Sequence, residues 1–223
     1  MRKTIPTFFK IFMLSGFILL FSACSNDDDY TYPSVVTELV DATSNADKTI
    51  AYIRRDNGEI LYLKNQRIGA SAADSTYRCI TVYEAVKDES GKATQYAKIY
   101  QLQNIFSSFP VAADRLKTHE HSPVQVYSTW QSDRYFNMNF GYLTTSVASH
   151  KFAFSIDSTT VSASTGKTIM HVSLIHQRPT TDPESYTQKS YLSLPLYHVK
   201  DKADSLFFFV NTNEGEKQYK MGL

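Results

Sequence analysis

The sequence predicts an all-β protein arranged as a small barrel followed by a β-sandwich, and three observations carry that expectation. Nearly every patterned segment alternates apolar and polar residues with period 2, as a strand with one buried face requires. Long stretches with the 3.6-residue period of an amphipathic helix are absent from the sequence. Tyr and Phe, whose rings suit a pleated surface, occur 15 and 14 times.

The first half reads as five strands, near Ser34 to Ala42, Thr49 to Arg55, Glu59 to Lys64, Thr76 to Lys87 and Ala93 to Asn104. Asp56-Asn57-Gly58 joins the second and third as a hairpin, because Asn and Gly tolerate the positive φ of a tight turn. Asp88-Glu89-Ser90-Gly91-Lys92 plays the same part for the fourth and fifth. Five short strands fit an OB-fold, and an SH3-like barrel gives a similar pattern.

Pro110 to Pro123 is polar, reads as a solvated linker, and places a domain boundary at its start. Beyond it, Phe136, Met138, Phe140 and Tyr142 share one face of a half-buried strand, with Asn137, Asn139 and Gly141 on the other. Phe152, Phe154 and Ile156 repeat the pattern, as do Met170, Val172 and Leu174, and then Leu192, Leu194 and Leu196. Leu206 to Asn211 and Glu216 to Met221 form a last pair joined through Asn213-Glu214-Gly215. Pro195, lacking a backbone N–H, belongs on an edge strand or at a bulge.

The chain begins with Arg2, Lys3 and Lys10, then runs uncharged from Ile11 to Phe21. A membrane-spanning helix needs about 20 apolar residues, so this run reads as a cleaved signal segment, residues 1–23. Ser22 and Ala23 before Cys24 resemble the lipobox of bacterial lipoproteins, whose cysteine thiol takes a diacylglyceryl group and becomes the new N-terminus. Phe21 departs from the usual Leu but is likewise bulky and apolar. Cys24 is therefore the expected lipidation site, and a lipid anchor the expected membrane attachment. Asp27, Asp28 and Asp29 make residues 24–33 a solvated acidic tether, which resembles the surface-export signal of Bacteroidetes-type lipoproteins.

Residues 1–23 hold three basic and no acidic side chains, so their removal shifts the net charge from +1 to −2. A near-neutral protein has no long-range field with which to gather polyanions, so nucleic acid is not an expected partner. With Cys24 acylated, Cys79 is the remaining thiol, which excludes an intramolecular disulfide and makes core packing the source of stability. Cys79 lies within a strand-like run and reads as a small buried hydrophobe.

The lipobox-like Cys24, the acidic run, the following Tyr32-Pro33-Ser34-Val35-Val36-Thr37-Glu38 and the barrel-then-sandwich order resemble the NigD-like family of Bacteroidetes lipoproteins. The resemblance spans essentially the whole mature chain. It implies an OB-like domain, here residues 34–110, then an immunoglobulin-like sandwich, residues 111–223, attached to the cell envelope. It supplies no catalytic residues. The family's association with a bacteriocin gene cluster suggests an immunity or protective role.

Motifs for chemistry are sparse. Gly166-Lys167-Thr168 could end a phosphate-binding loop, but Val161 stands where the first glycine belongs and Ile169 to Ile175 reads as a strand, so a hairpin turn is expected. His119 and His121 at strand spacing would point to one side like a metal-ligand pair, yet no third ligand is near in sequence, and Pro123 interrupts H-E-x-x-H. His171 and His176 should face opposite sides of one strand, with His150 and His198 near strand ends. A Ser-His-Asp triad needs only convergence in space, but no G-x-S-x-G elbow is present. No catalytic, cofactor-binding or metal residue is assigned.

Tyr52, Arg54, Tyr62, Lys64, Tyr77, Arg78 and Tyr83 could form an aromatic and cationic barrel surface of the kind that OB-like folds use for ligands, or simply pack over the core edge. Trp130 could be a sugar-stacking platform, but its parity with Val124 and Val126 predicts packing inside the sandwich. The expectation is a surface-displayed, non-catalytic lipoprotein that binds an envelope protein or a glycan. An envelope hydrolase with a dispersed active site is the third reading.

Overall fold

The computed structural model describes residues 34–64, 66–86, 96–145, 150–179 and 186–223. Cys24, the signal segment, the acidic tether and the turn at Asp88 to Lys92 lie outside the described residues. In the first half, β1 (Val35–Ser44), β2 (Ile50–Arg55), β3 (Ile60–Leu63), β4 (Thr76–Val86) and β5 (Tyr96–Asn104) close into a barrel in the order β1-β2-β3-β5-β4. Closure is possible because β1 is long enough to pair with β2 through Val40 to Ser44 and with β4 through Val35 to Thr43. The seam is a short parallel pairing of β3 with β5. Gly58, at φ +88°, makes the β2–β3 turn, and Asn57 Oδ1 accepts the Glu59 N–H at 3.0 Å.

Alternation sends Val40, Ile53, Leu61, Cys79, Tyr83, Ala97 and Ile99 into the barrel. Tyr83 fills space no aliphatic could and places its hydroxyl at the rim, where it donates to Glu38 Oε1 at 2.6 Å. Burial, then Glu38, pushes the Tyr83 phenol well above its ordinary pKa, so the donor stays protonated. Glu38 is held in turn by Arg55 at 2.7 Å, whose guanidinium this pairing raises further.

The second half packs a five-stranded sheet on a three-stranded one. The larger, in the order β13-β12-β10-β9-β6, uses β6 (Val111–Ala112), β9 (Lys151–Val161), β10 (Thr168–Gln177), β12 (Ser205–Thr212) and β13 (Gly215–Gly222). The smaller, β11-β8-β7, uses β7 (Gln125–Gln131), β8 (Tyr135–Thr144) and β11 (Tyr186–Pro195). Between them lies a dry core that includes Phe136, Met138, Phe140, Phe154, Val172, Leu192 and Phe208. The expected inward positions of β9 to β12 all face this core or its margin. Gly166 and Gly215, at φ +67° and +108°, make the β9–β10 and β12–β13 turns. Gly166-Lys167-Thr168 is thus a hairpin turn leading into a strand. Pro195 ends β11, an edge strand of the smaller sheet.

Three expectations are corrected. First, residues 110–123 are not a solvated linker: Val111–Ala112 pairs with β9, Ser122 N–H donates to His176 O on β10, and His176 N–H donates to Glu120 O. Polar side chains hid a backbone that is laddered onto the sheet. Second, β8 is buried on both faces, with Asn137 fully inaccessible, because the barrel covers its polar side. Third, Trp130 is 38% exposed rather than inside the sandwich. A bulge at Tyr127 shifts the β7–β8 register, so Val126 opposes core residue Phe140 while Trp130 opposes Asn137 on the outer face.

Arg78 makes the contact between barrel and sandwich. Its side chain, on the outside of β4, is 2% exposed. The guanidinium forks onto Asp56 at 2.7 and 2.9 Å and reaches Asp41 at 3.3 Å, both on the barrel. It also donates to Ser193 Oγ at 3.1 Å and Asn137 Oδ1 at 3.2 Å on the sandwich, and lies 4.0 Å from the centre of the Tyr135 ring. Tyr135 closes the circuit by donating to Asp41 at 2.9 Å. Breaking such a buried pair from one side leaves uncompensated charge at a cost of about 3–5 kcal/mol. We expect Arg78→Ala to lower unfolding stability by roughly that amount in urea titrations. Arg67→Ala, which removes an exposed pair at 3.8 Å, should change it by less than about 0.5 kcal/mol.

Candidate functional site

The same junction opens into a groove of about 510 Å³, lined by Ser107, Ser108, Phe109, Arg134, Tyr135 and Tyr197 among others. Residues 105–109 are drawn into it because Ile105 N–H donates to Arg78 O at 2.9 Å and Ser193 N–H donates to Phe106 O at 2.9 Å. Tyr197 arrives on the one-turn 3-10 helix after β11, which is tied down by Leu196 N–H to Arg134 O at 2.8 Å. Phe109 and Tyr197 remain 48% and 39% exposed and meet edge to face at 5.9 Å. Arg134 stands 4.8 Å over the Tyr197 ring and 3.5 Å from Asp41. Burial and Asp41 push the Tyr135 phenol well above its usual pKa, so at neutral pH it is a fixed donor and no base. The guanidinium groups here are already paired with Asp41 and Asp56, and the groove presents aromatic edges with its charges balanced.

A second site lies at one end of the sandwich. His176 on β10 is 2% exposed and stacks on Phe152 at 4.6 Å. Its Nδ1–H donates to Ser122 O at 3.1 Å, which leaves Nε2 to accept from His150 Nδ1 at 2.8 Å. Tyr142 packs against both imidazoles, and a cavity of about 320 Å³ opens beside His176, Ser122, Gln125 and Arg178. Burial, with His150 adding to it, lowers the His176 pKa to about 4. Ser122 Oγ donates to Glu120 Oε1 at 2.5 Å, and His176 meets the Ser122 carbonyl, not its hydroxyl. The geometry is a pair of hydrogen-bonded imidazoles in a stacked aromatic setting and does not arm Ser122 as a nucleophile.

The residues singled out from the sequence scatter. His121 Nδ1 contacts Leu174 O at 3.1 Å, and His119 and His121 are both exposed. His171 stacks on Phe207 and Phe209 on the outer side of the larger sheet, opposite to His176 as expected. Cys79 is inaccessible, and burial pushes its thiol up to about 12, so it is inert packing. The barrel surface set divides. Tyr52 and Tyr62 form an edge-to-face pair across β2 and β3 at 6.0 Å, with Tyr62 half exposed. Tyr77 instead holds the Ala72 backbone and the Ser71 hydroxyl, Tyr83 fills the barrel, and Arg78 lies under the sandwich, so these three do not join Tyr52 and Tyr62 in one exposed face. Phe109, Arg134 and Tyr197 were not singled out, being dispersed and on no regular strand face. The His150–His176 contact depends on strand packing that neither segment encodes alone.

The neutral His176 carries a pH signature. Above about pH 6.5 it is uncharged in both folded and unfolded chains, and its stabilisation is fully present. As pH falls from about 6.5 toward about 4, the unfolded chain takes up a proton that the fold refuses, and stability declines by up to about 3 kcal/mol. Urea midpoints measured across this window should therefore drop on acidification, and His176→Gln should flatten the drop.

Two family descriptions match the chain: the NigD-like N-terminal OB domain over residues 39–105 and the NigD-like C-terminal beta sandwich domain over residues 104–223. No curated protein matches it. Among solved structures, a NigD-like immunity protein from Bacteroides caccae is 26% identical, with a TM-score of 0.62 over 86% of this chain and 94% of the other. A protein of unknown function from Bacteroides vulgatus is 17% identical, with a TM-score of 0.64 over 85% and 91% of the two chains. A candidate lipoprotein from Bacteroides fragilis, 11% identical, superposes with a TM-score of 0.60 over 84% and 97%. At those last two identities the likeness speaks to fold alone. With both halves matched in order, the chain belongs to the NigD-like family.

Proposed function

We propose that this protein is a non-catalytic binding module, held to the cell envelope by acyl chains on Cys24 and displayed at the outer surface. The observation that carries the binding reading is the junction groove, where half-exposed Phe109 and Tyr197 flank guanidinium groups already paired with carboxylates. Paired charges of that kind set shape and orientation; proton transfer would need a group with unspent capacity. The lipobox-like Ser22-Ala23-Cys24 and the following aspartates support the anchored placement. The likeness to an immunity protein at 26% identity favours a second reading, protection against a secreted toxin.

Cys24→Ala should move the protein from the detergent phase to the aqueous phase in Triton X-114 partitioning, and mass spectrometry of the native protein should find fatty acid on Cys24. A soluble chain starting at Ser25 should capture an envelope component from intact cells, and Phe109→Ala with Tyr197→Ala should weaken capture at least ten-fold. No capture would overturn the binding reading. A deletion strain with altered sensitivity to a co-cultured toxin producer would instead favour protection.

A further inference from the structure

We infer that the outer face of the smaller sheet, from Trp130 across Tyr191 into the groove against the barrel, is a site for a neutral oligosaccharide. This rests on the binding-module reading and adds to it a second surface, distinct from the Phe109 and Tyr197 groove, with a stated ligand class. After the Tyr127 bulge, Trp130 points outward, 38% exposed, and meets the Tyr191 ring edge-on at 6.5 Å. Beside it, the Tyr127 ring lies across the middle of β8. A Cβ at Gly141 would fall 2.5 Å from the Tyr127 hydroxyl, so glycine is what lets this ring lie flat. Tyr191 also lines a groove of about 390 Å³ between β11 and barrel strands β4 and β5, a volume within the range of small-ligand sites.

The lining chemistry selects the ligand. Gln101 and Gln103 face the groove from the barrel, and Gln188 and Ser190 from the sandwich. Amides and hydroxyls both donate and accept, which matches the hydroxyl rim of a sugar, while indole and phenol faces match the apolar C–H face of a pyranose ring. Among the groove's described lining residues Lys189 is the one charged side chain, and its ammonium sits 5.3 Å over the Tyr127 ring. A single-stranded nucleic acid would stack on the same rings but would find no row of cations for its phosphates. No carboxylate lines the groove to repel or to bind a cation.

Trp130 is the only tryptophan in the chain, so fluorescence excited selectively at the red edge, where tyrosine does not absorb, reports on this site alone. The chain from Ser25 to Leu223 would be titrated with maltoheptaose, cellohexaose, mannohexaose and xylohexaose, and screened on a glycan array, with oligo(dT) and heparin as anionic controls. The expected result is a saturable shift in Trp130 emission with at least one neutral glycan and with neither polyanion. By calorimetry, Trp130→Ala should weaken binding at least ten-fold, Gln103→Ala several-fold, and Trp130→Phe little, with unfolding midpoints confirming that each variant folds. The proposal falls if no neutral glycan on the array binds, if a polyanion binds instead, or if Trp130→Ala binds as the parent does. Partner capture from intact cells without binding of any neutral glycan would retire the glycan site and leave the binding-module reading standing. Loss of both would retire the two together.

Discussion

The fold depends on one buried guanidinium. Arg78 projects from a barrel strand into a space where water is excluded, and the contacts that make this tolerable come from both halves: Asp41 and Asp56 from the barrel, Asn137 and Ser193 from the sandwich, and the Tyr135 face beneath. The desolvation of an isolated charge here would cost several kcal/mol, so the barrel is stable in this form only with the sandwich docked, and the reverse holds for Asn137. That mutual requirement explains why β8 is closed on both faces and why residues 105–109 run in a fixed path between the two halves.

What could be seen in the sequence follows from the range over which each signal acts. Strands and turns in both halves were visible because alternation and positive-φ glycine are local, and Gly58, Gly166 and Gly215 all sit at such turns. The second face of β8 was not, because the side chain that covers Asn137 comes from residue 78, and a polar residue facing water looks the same in sequence as one facing a buried arginine. Trp130 shows a subtler limit: a single bulged residue at Tyr127 reverses parity, and nothing in Val-Tyr-Ser-Thr-Trp announces it. The segment before Pro123 was misjudged because its pairing runs through backbone groups, to which side-chain polarity is blind.

The candidate sites differ in how much of them the sequence exposed. The aromatic residues at 109, 130, 191 and 197 come from a connection, two edge strands and a turn, and only folding gathers them on surfaces next to the barrel. The tandem imidazoles of His150 and His176 pack against Tyr142, and His176, buried on Phe152, is held neutral by that burial. At the junction the guanidinium groups are paired with carboxylates, and in the sandwich His176 is held uncharged, while the grooves beside the barrel present mainly rings, amides and hydroxyls.

Asn137 and Ser193 bind one another at 2.6 Å as well as the arginine, so the sandwich carries a socket shaped for a single plug. A genetic exchange that joined this barrel to the sandwich of a distant relative would succeed only if the recipient brought the same amide and hydroxyl at those two places. The two halves thereby act as a matched set, and substitutions at the rims and loops leave that lock untouched.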